Sequence, residues 1–432
     1  MGERRRGRPR RARAGRPAAR PLPRRPPGRQ DRLPRERPAH PDDVGGAERA
    51  LDRPARRRAE SVDPLRRRAR EDPRVVGRER ERALSAAIVA RVRTRGRAAG
   101  AGAVTAAIVL LVVSVAVAVT LGPADVSLVN VRDILANHLG LADIPVKAAK
   151  DAIVWEERLP RALVAACAGA GLALCGVVMQ SLLRNPLAEP FVLGVSSGAS
   201  TGAVVIGVLG LGGGVLGLSG GAFVGAVVAF GLVLLLSRFT SAGTAGVVLA
   251  GVAGTQFFSA ITSLVVFAAA DSDETRGVMF WLLGSLEGMR WDKVALCAAV
   301  VAVGGAVCLL SARALDAFAF GDEVAASLGI PVARLRGGLL VVTALMTAAL
   351  VSAVGAVGFV GLVVPHAVRL VVGLRHSRVV PLSALVGAVF MVWVDAATRT
   401  LFAPTPLPVG VGTALVGVPV FVALLVRRRA RG

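Results

Sequence analysis

Residues 101–121 read AGAVTAAIVLLVVSVAVAVTL, twenty-one positions without a charge. A helix rises about 1.5 Å per residue and the hydrocarbon core of a bilayer is about 30 Å thick, so a run of this length spans it as helix. A half-buried strand or a surface helix would show a period of 2 or 3.6, and this run shows neither. Nine more apolar runs follow near 161–180, 191–210, 220–237, 244–269, 294–312, 337–356, 358–373, 381–401 and 410–426. The spacing predicts an all-α polytopic membrane protein of ten transmembrane helices over residues 98–432. The 358–373 run is short and contains Pro365, which predicts a broken helix packed inside the protein.

The 432 residues carry 53 Lys and Arg against 29 Asp and Glu, a net charge of +24. That charge is unevenly placed. Residues 1–97 hold 32 Arg and 13 acids, whereas residues 98–432 hold 21 Lys and Arg and 16 acids. The first stretch is Arg, Pro, Ala and Gly with almost no apolar periodicity, so it cannot bury enough surface to offset its ordering entropy. It is expected to be a disordered basic cytoplasmic tail, or upstream sequence translated from a start assigned too early. It lacks the short apolar segment and cleavage site of a signal peptide. No nucleic-acid partner is needed to explain the charge. Fifty Arg against three Lys, with no Tyr, fits a GC-rich coding sequence. Cys167, Cys175, Cys297 and Cys308 lie in apolar runs without C-x-x-C spacing, and read as small buried hydrophobes.

Loop charge sets the expected orientation. Arg91, Arg93, Arg95 and Arg97 precede the first span, and Arg427, Arg428, Arg429 and Arg431 follow the last. With an even number of spans, both termini are expected to be cytoplasmic. The loops assigned outside then carry most of the acids, among them Asp125, Asp133, Asp151, Glu156, Glu157, Glu287 and Asp292.

Several functions are disfavoured by what the chain omits. It has no G-x-x-x-x-G-K-[ST] loop to cradle ATP phosphates and no H-E-x-x-H. Its two G-x-S-x-G matches, at 194–198 and 217–221, fall in or beside apolar runs read as helix rather than at a strand-to-helix turn. A polytopic membrane enzyme would need such a constellation. Few ionisable residues fall within the spans, which argues against an ion-coupled secondary transporter. His366 is the one candidate relay, and a structural or cavity-lining role fits it better.

Three segments carry more than lipid-facing apolar character. Arg158-Leu159-Pro160-Arg161 places a proline at a predicted helix start, where its missing N–H costs nothing. Downstream, Gln180 is followed by Arg184-Asn185-Pro186-Leu187-Ala188-Glu189-Pro190 and then Gly194 and Gly198. There Asn185-Pro186 reads as N-cap plus first helical residue, and the glycines permit close packing. The polar segment 313–336 contains Gly321-Asp322-Glu323-Val324-Ala325-Ala326-Ser327-Leu328-Gly329, with Gly329 as helix stop. The third segment is Gly355 to Arg369, with Gly358, Phe359, Gly361, Pro365 and His366.

With R-L-P-R, Q-x-x-x-R-N-P-L-A-x-P-x-x-L-G, G-D-E-x-A-x-x-L-G and G-x-x-G-F-V-G-L-V-V-P-H-x-x-R in this order, residues 100–428 resemble a known family. It is the FecCD-type permease subunit of iron–siderophore, haem and vitamin B12 ABC importers, with the type II importer fold. The resemblance implies a permease dimer, homomeric or heteromeric, two cytoplasmic ATP-binding subunits and an extracytoplasmic substrate-binding (lipo)protein. It implies that Arg158, Arg161 and Arg399 meet acids of the binding protein. It places ATPase coupling at Gly321, Asp322, Glu323, Ala326, Ser327, Leu328 and Gly329. The polar positions Thr240, Ser241 and Thr244 fall where the family has its inner gate, and Gln180, Asn185, Pro186, Pro365 and His366 complete the candidate pathway set. The resulting expectation is a permease for ferric-siderophore uptake, with no cofactor, no metal ligands and no catalytic residues of its own. Haem or cobalamin is the alternative cargo.

Overall fold

In the computed structural model of this chain, residues 102–210, 217–239, 243–269, 277, 279–401 and 407–429 are described. The expected tail 1–97 lies outside them. Among the described residues the regular elements are all helices. In chain order these are α1 Gly102–Thr120, α2 Leu128–His138, α3 Ala148–Leu182, α4 Val195–Leu209, α5 Gly217–Arg238 and α6 Gly243–Ala269. There follow α7 Trp291–Leu310, α8 Ala312–Phe318, α9 Asp322–Ser327, α10 Val332–Val354, α11 Val360–Val372, α12 His376–Thr400 and α13 Val409–Arg429. Each of the ten expected spans coincides with one helix. Among the described residues seven (α1, α3, α5, α6, α7, α10 and α12) are long and apolar enough to cross a bilayer, and α4, α11 and α13 are shorter apolar helices.

The centre of the bundle is α3. Of its most apolar stretch, 83% is buried, against 17% for α1 and α7, which form part of the outer shell. Its sequence explains this position, because Gly169, Gly171 and Gly176 are spaced along it among alanines. A Cβ at Gly169 would collide with the backbone of Gly387 in α12, and one at Gly176 with the backbone of Gly361 in α11. With no hydrophobic drive between helices in lipid, such backbone approach supplies the packing energy. The same device joins α4 to α5, where Gly198 and Gly202 face Gly221 and Gly225.

Two readings of the α3 region are corrected. The helix starts at Ala148, well before Pro160. A proline inside a helix lacks one N–H, and its ring crowds the carbonyl four residues back. The chain absorbs this by widening to a π-helical turn over Ile153–Arg158, with the Leu159 N–H donating to Val154 O. Nor does Asn185-Pro186 start a helix. Asn185 Oδ1 accepts from the Leu187 N–H at 2.9 Å in a turn, and helix resumes only at the 3₁₀ turn Pro190–Leu193 and at Val195.

Along α3 the partners fix the levels of the other helices. Arg161 pairs with Asp395 at one end, and Ser181 meets His376 at the other, so α12 runs antiparallel to α3. The Arg161 end is termed proximal and the Ser181 end distal. The first turn of α11 meets α3 at Gly176, so this short helix is confined to the distal half. Gly194, before α4, lies against Val233 of α5 and Thr255 of α6. Thr255 is about 18 Å along α6 from Gly243 at 1.5 Å per residue, so α4 is confined to the proximal half. Two short helices therefore begin inside the bundle rather than at either of its ends.

The expected break at Pro365 is not found: α11 runs unbroken from Val360 to Val372, and the proline instead explains a bond of this helix. Without an N–H it leaves the Gly361 carbonyl unpaired within the helix. The Gln180 Nε2 of α3 donates to that carbonyl and to Leu362 O, both at 3.1 Å. Next to this, Glu189 Oε1 accepts from the Phe359 N–H at 2.8 Å, where Phe359 takes a left-handed conformation with φ 68°.

Candidate functional site

At the proximal end, α1 stops at Thr120 and its last carbonyls have no partners within the helix. Arginines from two other helices supply them. Arg158 donates to Val119 O, Thr120 O and Ala124 O at 3.0–3.1 Å. Arg399 donates to Ala118 O and Leu121 O at 2.9 and 3.0 Å. Arg161 forms a forked pair with Asp395, at 2.9 and 2.8 Å to Oδ1, and Arg399 Nε stands 3.7 Å from Asp395 Oδ2. One buried carboxylate thus faces two guanidiniums.

Arg158, Arg161 and Arg399 are turned inward, and Arg158 is only 4% exposed. All three nevertheless line one cavity of about 620 Å³, together with Glu157, Leu286, Glu287 and Met289. A partner's carboxylate would have to enter this cavity to reach them. Beside it α2 packs on the start of α3, with the His138 ring stacked on Trp155 at 3.9 Å.

At the distal end the 313–336 segment forms α8 and α9, which Gly321 (φ 106°) and Gly329 (φ 80°) bound. Glu323, Ala326, Ser327, Leu328 and Gly329 are exposed, while Ala325 between them is buried. Phe320 and Leu328 add apolar surface, at 76% and 67% exposure. Arg336 anchors this knob by donating to Asp322 at 2.7 Å. That hydrogen bond holds the Asp322 carboxyl below its ordinary range, against a smaller opposing effect of desolvation.

The remaining expected site residues are divided. Gln180 and Pro365 come together through the Gly361 carbonyl, and His366 is buried on the same helix. Asn185 and Pro186 lie on an exposed turn apart from that contact. Thr240 and Ser241 lie outside the described residues, and Thr244 falls in the first turn of α6. Besides His366, the expected candidate relay, Asp395 and Arg369 lie within apolar helices of the bundle and His376 opens α12. The signal for Asp395 is an isolated acid in an apolar run, four residues before an arginine.

Residues 110–427 match the FecCD transport family. The chain is 43% identical over 286 residues to the cobalamin import system permease protein BtuC of Halobacterium salinarum, covering 65% of this chain and 74% of that one. It is 35% identical over 317 residues to the iron(3+)-hydroxamate import system permease protein FhuB of Bacillus subtilis, covering 72% and 79%. It is 36% identical over 276 residues to the hemin transport system permease protein HmuU of Yersinia pestis, covering 63% and 82%. Among solved structures, a metal-chelate type ABC transporter in an inward-facing conformation superposes with a TM-score of 0.67 at 29% identity, covering 75% of this chain and 98% of that one.

Proposed function

The chain belongs to the FecCD transport family, and from that premise we propose that this ABC importer permease carries an intact ferric siderophore across the cytoplasmic membrane. The observation that carries the reading is the pairing of an arginine-lined cavity at one end with an exposed knob at the other. A binding protein would deliver cargo at the proximal end, outside. Two ATP-binding subunits would seat the α8–α9 knob at the distal end, inside, where both termini would also lie. ATP binding would move the knob as a rigid body and alternate access along the interface of two permease subunits. The chelator keeps the iron, so this chain needs no metal ligands for transport.

Cobalamin is the second reading, favoured by the 43% identity to a cobalamin permease. Uptake into proteoliposomes containing the full complex separates the two. With ferric hydroxamate, hemin and cobalamin offered in parallel, ATP-dependent accumulation of the ferric hydroxamate alone is expected. Accumulation of cobalamin alone would transfer the assignment. Uptake that continues without ATP and collapses with an ion gradient would point to a secondary transporter.

On this reading the binding protein docks over the proximal cavity, with Arg158 as the guanidinium an inserted carboxylate meets. Arg158→Gln should weaken capture of the purified binding protein by the complex about tenfold or more, because a desolvated charge pair is lost. Unchanged affinity in a complex that still assembles would remove Arg158 from docking.

A further inference from the structure

His376 opens α12 and is 4% exposed. Its backbone N–H donates to Asp316 Oδ1 at 2.9 Å, and its Nδ1 lies 2.7 Å from the same oxygen. Asp316 belongs to α8, the first helix of the 313–336 segment, and its side chain is 38% exposed. On the far side of the ring, Nε2 lies 2.6 Å from Ser181 Oγ in the last turn of α3. Arg369 of α11 donates to Ser181 Oγ at 3.4 Å, to Val177 O at 3.3 Å and to Gln180 Oε1. Gln180 then donates to the carbonyls of Gly361 and Leu362. One hydrogen-bonded path therefore runs from the partly exposed Asp316, through His376, to the first turn of α11.

The order Asp316–His376–Ser181 resembles a hydrolytic triad, but Ser181 is 7% exposed and its Oγ also lies 2.7 Å from Val177 O. A substrate has no access to that hydroxyl. Apolar contacts alone would let α8 slide against its neighbours, whereas directional bonds on both ring nitrogens fix the spacing between three helices. We propose that His376 is a positioning residue that ties movement of the 313–336 segment to α3 and α11. This rests on the reading of that segment as the one the ATP-binding subunits move.

The test uses the full complex in lipid nanodiscs, with spin labels placed by cysteine substitution. One pair, at Arg313 and Phe267, reports the 313–336 segment against the far end of α6; a second, at Val371 and Phe267, reports α11. In the unmutated background, ATP with vanadate should shift both distances. His376→Ala should leave the first shift intact and reduce the second about fivefold or more, the lower range of coupling between sites. An undiminished second shift would overturn the proposal. No shift of the first pair in the unmutated background would overturn the reading of the segment itself, and the proposal with it. Asp316→Ala, at a partly exposed position that should tolerate truncation, is expected to act as His376→Ala does. Asp316→Asn keeps an acceptor for both N–H groups and should retain the second shift, and its loss there would refute the hydrogen-bonded link.

Discussion

Replacing Asp395 by alanine should remove most of the folded protein. The carboxylate is 3% exposed and stands against Arg161 and Arg399, whose side chains are 10% and 11% exposed. Breaking a buried pair from one side leaves uncompensated charge, at a cost of about 3–5 kcal/mol. Two guanidiniums share this acid, so the upper part of that range is expected. Global stabilities of about 5–15 kcal/mol leave little after such a loss. The measurement is thermal unfolding of detergent-solubilised protein, together with the yield of chain extracted from membranes. Arg161→Met combined with Asp395→Leu should recover part of the stability, because Arg399 keeps its bonds to Ala118 O and Leu121 O. A fully stable Asp395→Ala would show that water or lipid headgroups reach the arginines, and would weaken the account of α1 being closed by them.

Much of this fold is legible in the sequence because the bilayer restricts what a chain can do. Apolar runs of spanning length have to be helices, so all ten can be read from hydropathy, including α11 with its Pro365. What hydropathy does not encode is how deep each helix sits. The proximal placement of α4 and the distal placement of α11 follow from glycine contacts between residues far apart in sequence, such as Gly176 with Gly361. Site residues divide along the same line. The knob at 321–329 is legible because its polar, glycine-bounded sequence has one local explanation. The arginines are identified by motif, but their inward direction depends on the carbonyls left open at the end of α1 and on Asp395. The path through His376 joins four helices and has no local signature.

Gly169 and Gly176 carry the second large effect. At both positions the atoms that a Cβ would meet include the backbone of a neighbouring helix, Gly387 for the first and Gly361 for the second. A flexible side chain can turn aside, but a backbone carbonyl moves only if the whole helix moves. Gly176→Ala should push α11 away from α3 and stretch the bonds from Gln180 to Gly361 O and Leu362 O. Overpacking usually costs about 1–3 kcal/mol, and a backbone collision beside lost hydrogen bonds should reach or pass the top of that range. Gly337 and Gly338 in α10 are the controls, since a Cβ there meets nothing within 4 Å. Alanine at either should stabilise by up to about 1 kcal/mol through helix propensity alone. Thermal unfolding of the four variants gives the comparison, and equal behaviour of Gly176→Ala and Gly337→Ala would rule out backbone contact as the basis of packing around α3. The transport consequence follows from the same geometry: α11 displaced from α3 loses the far end of the path through His376, so Gly176→Ala protein that still assembles should hydrolyse ATP with little uptake.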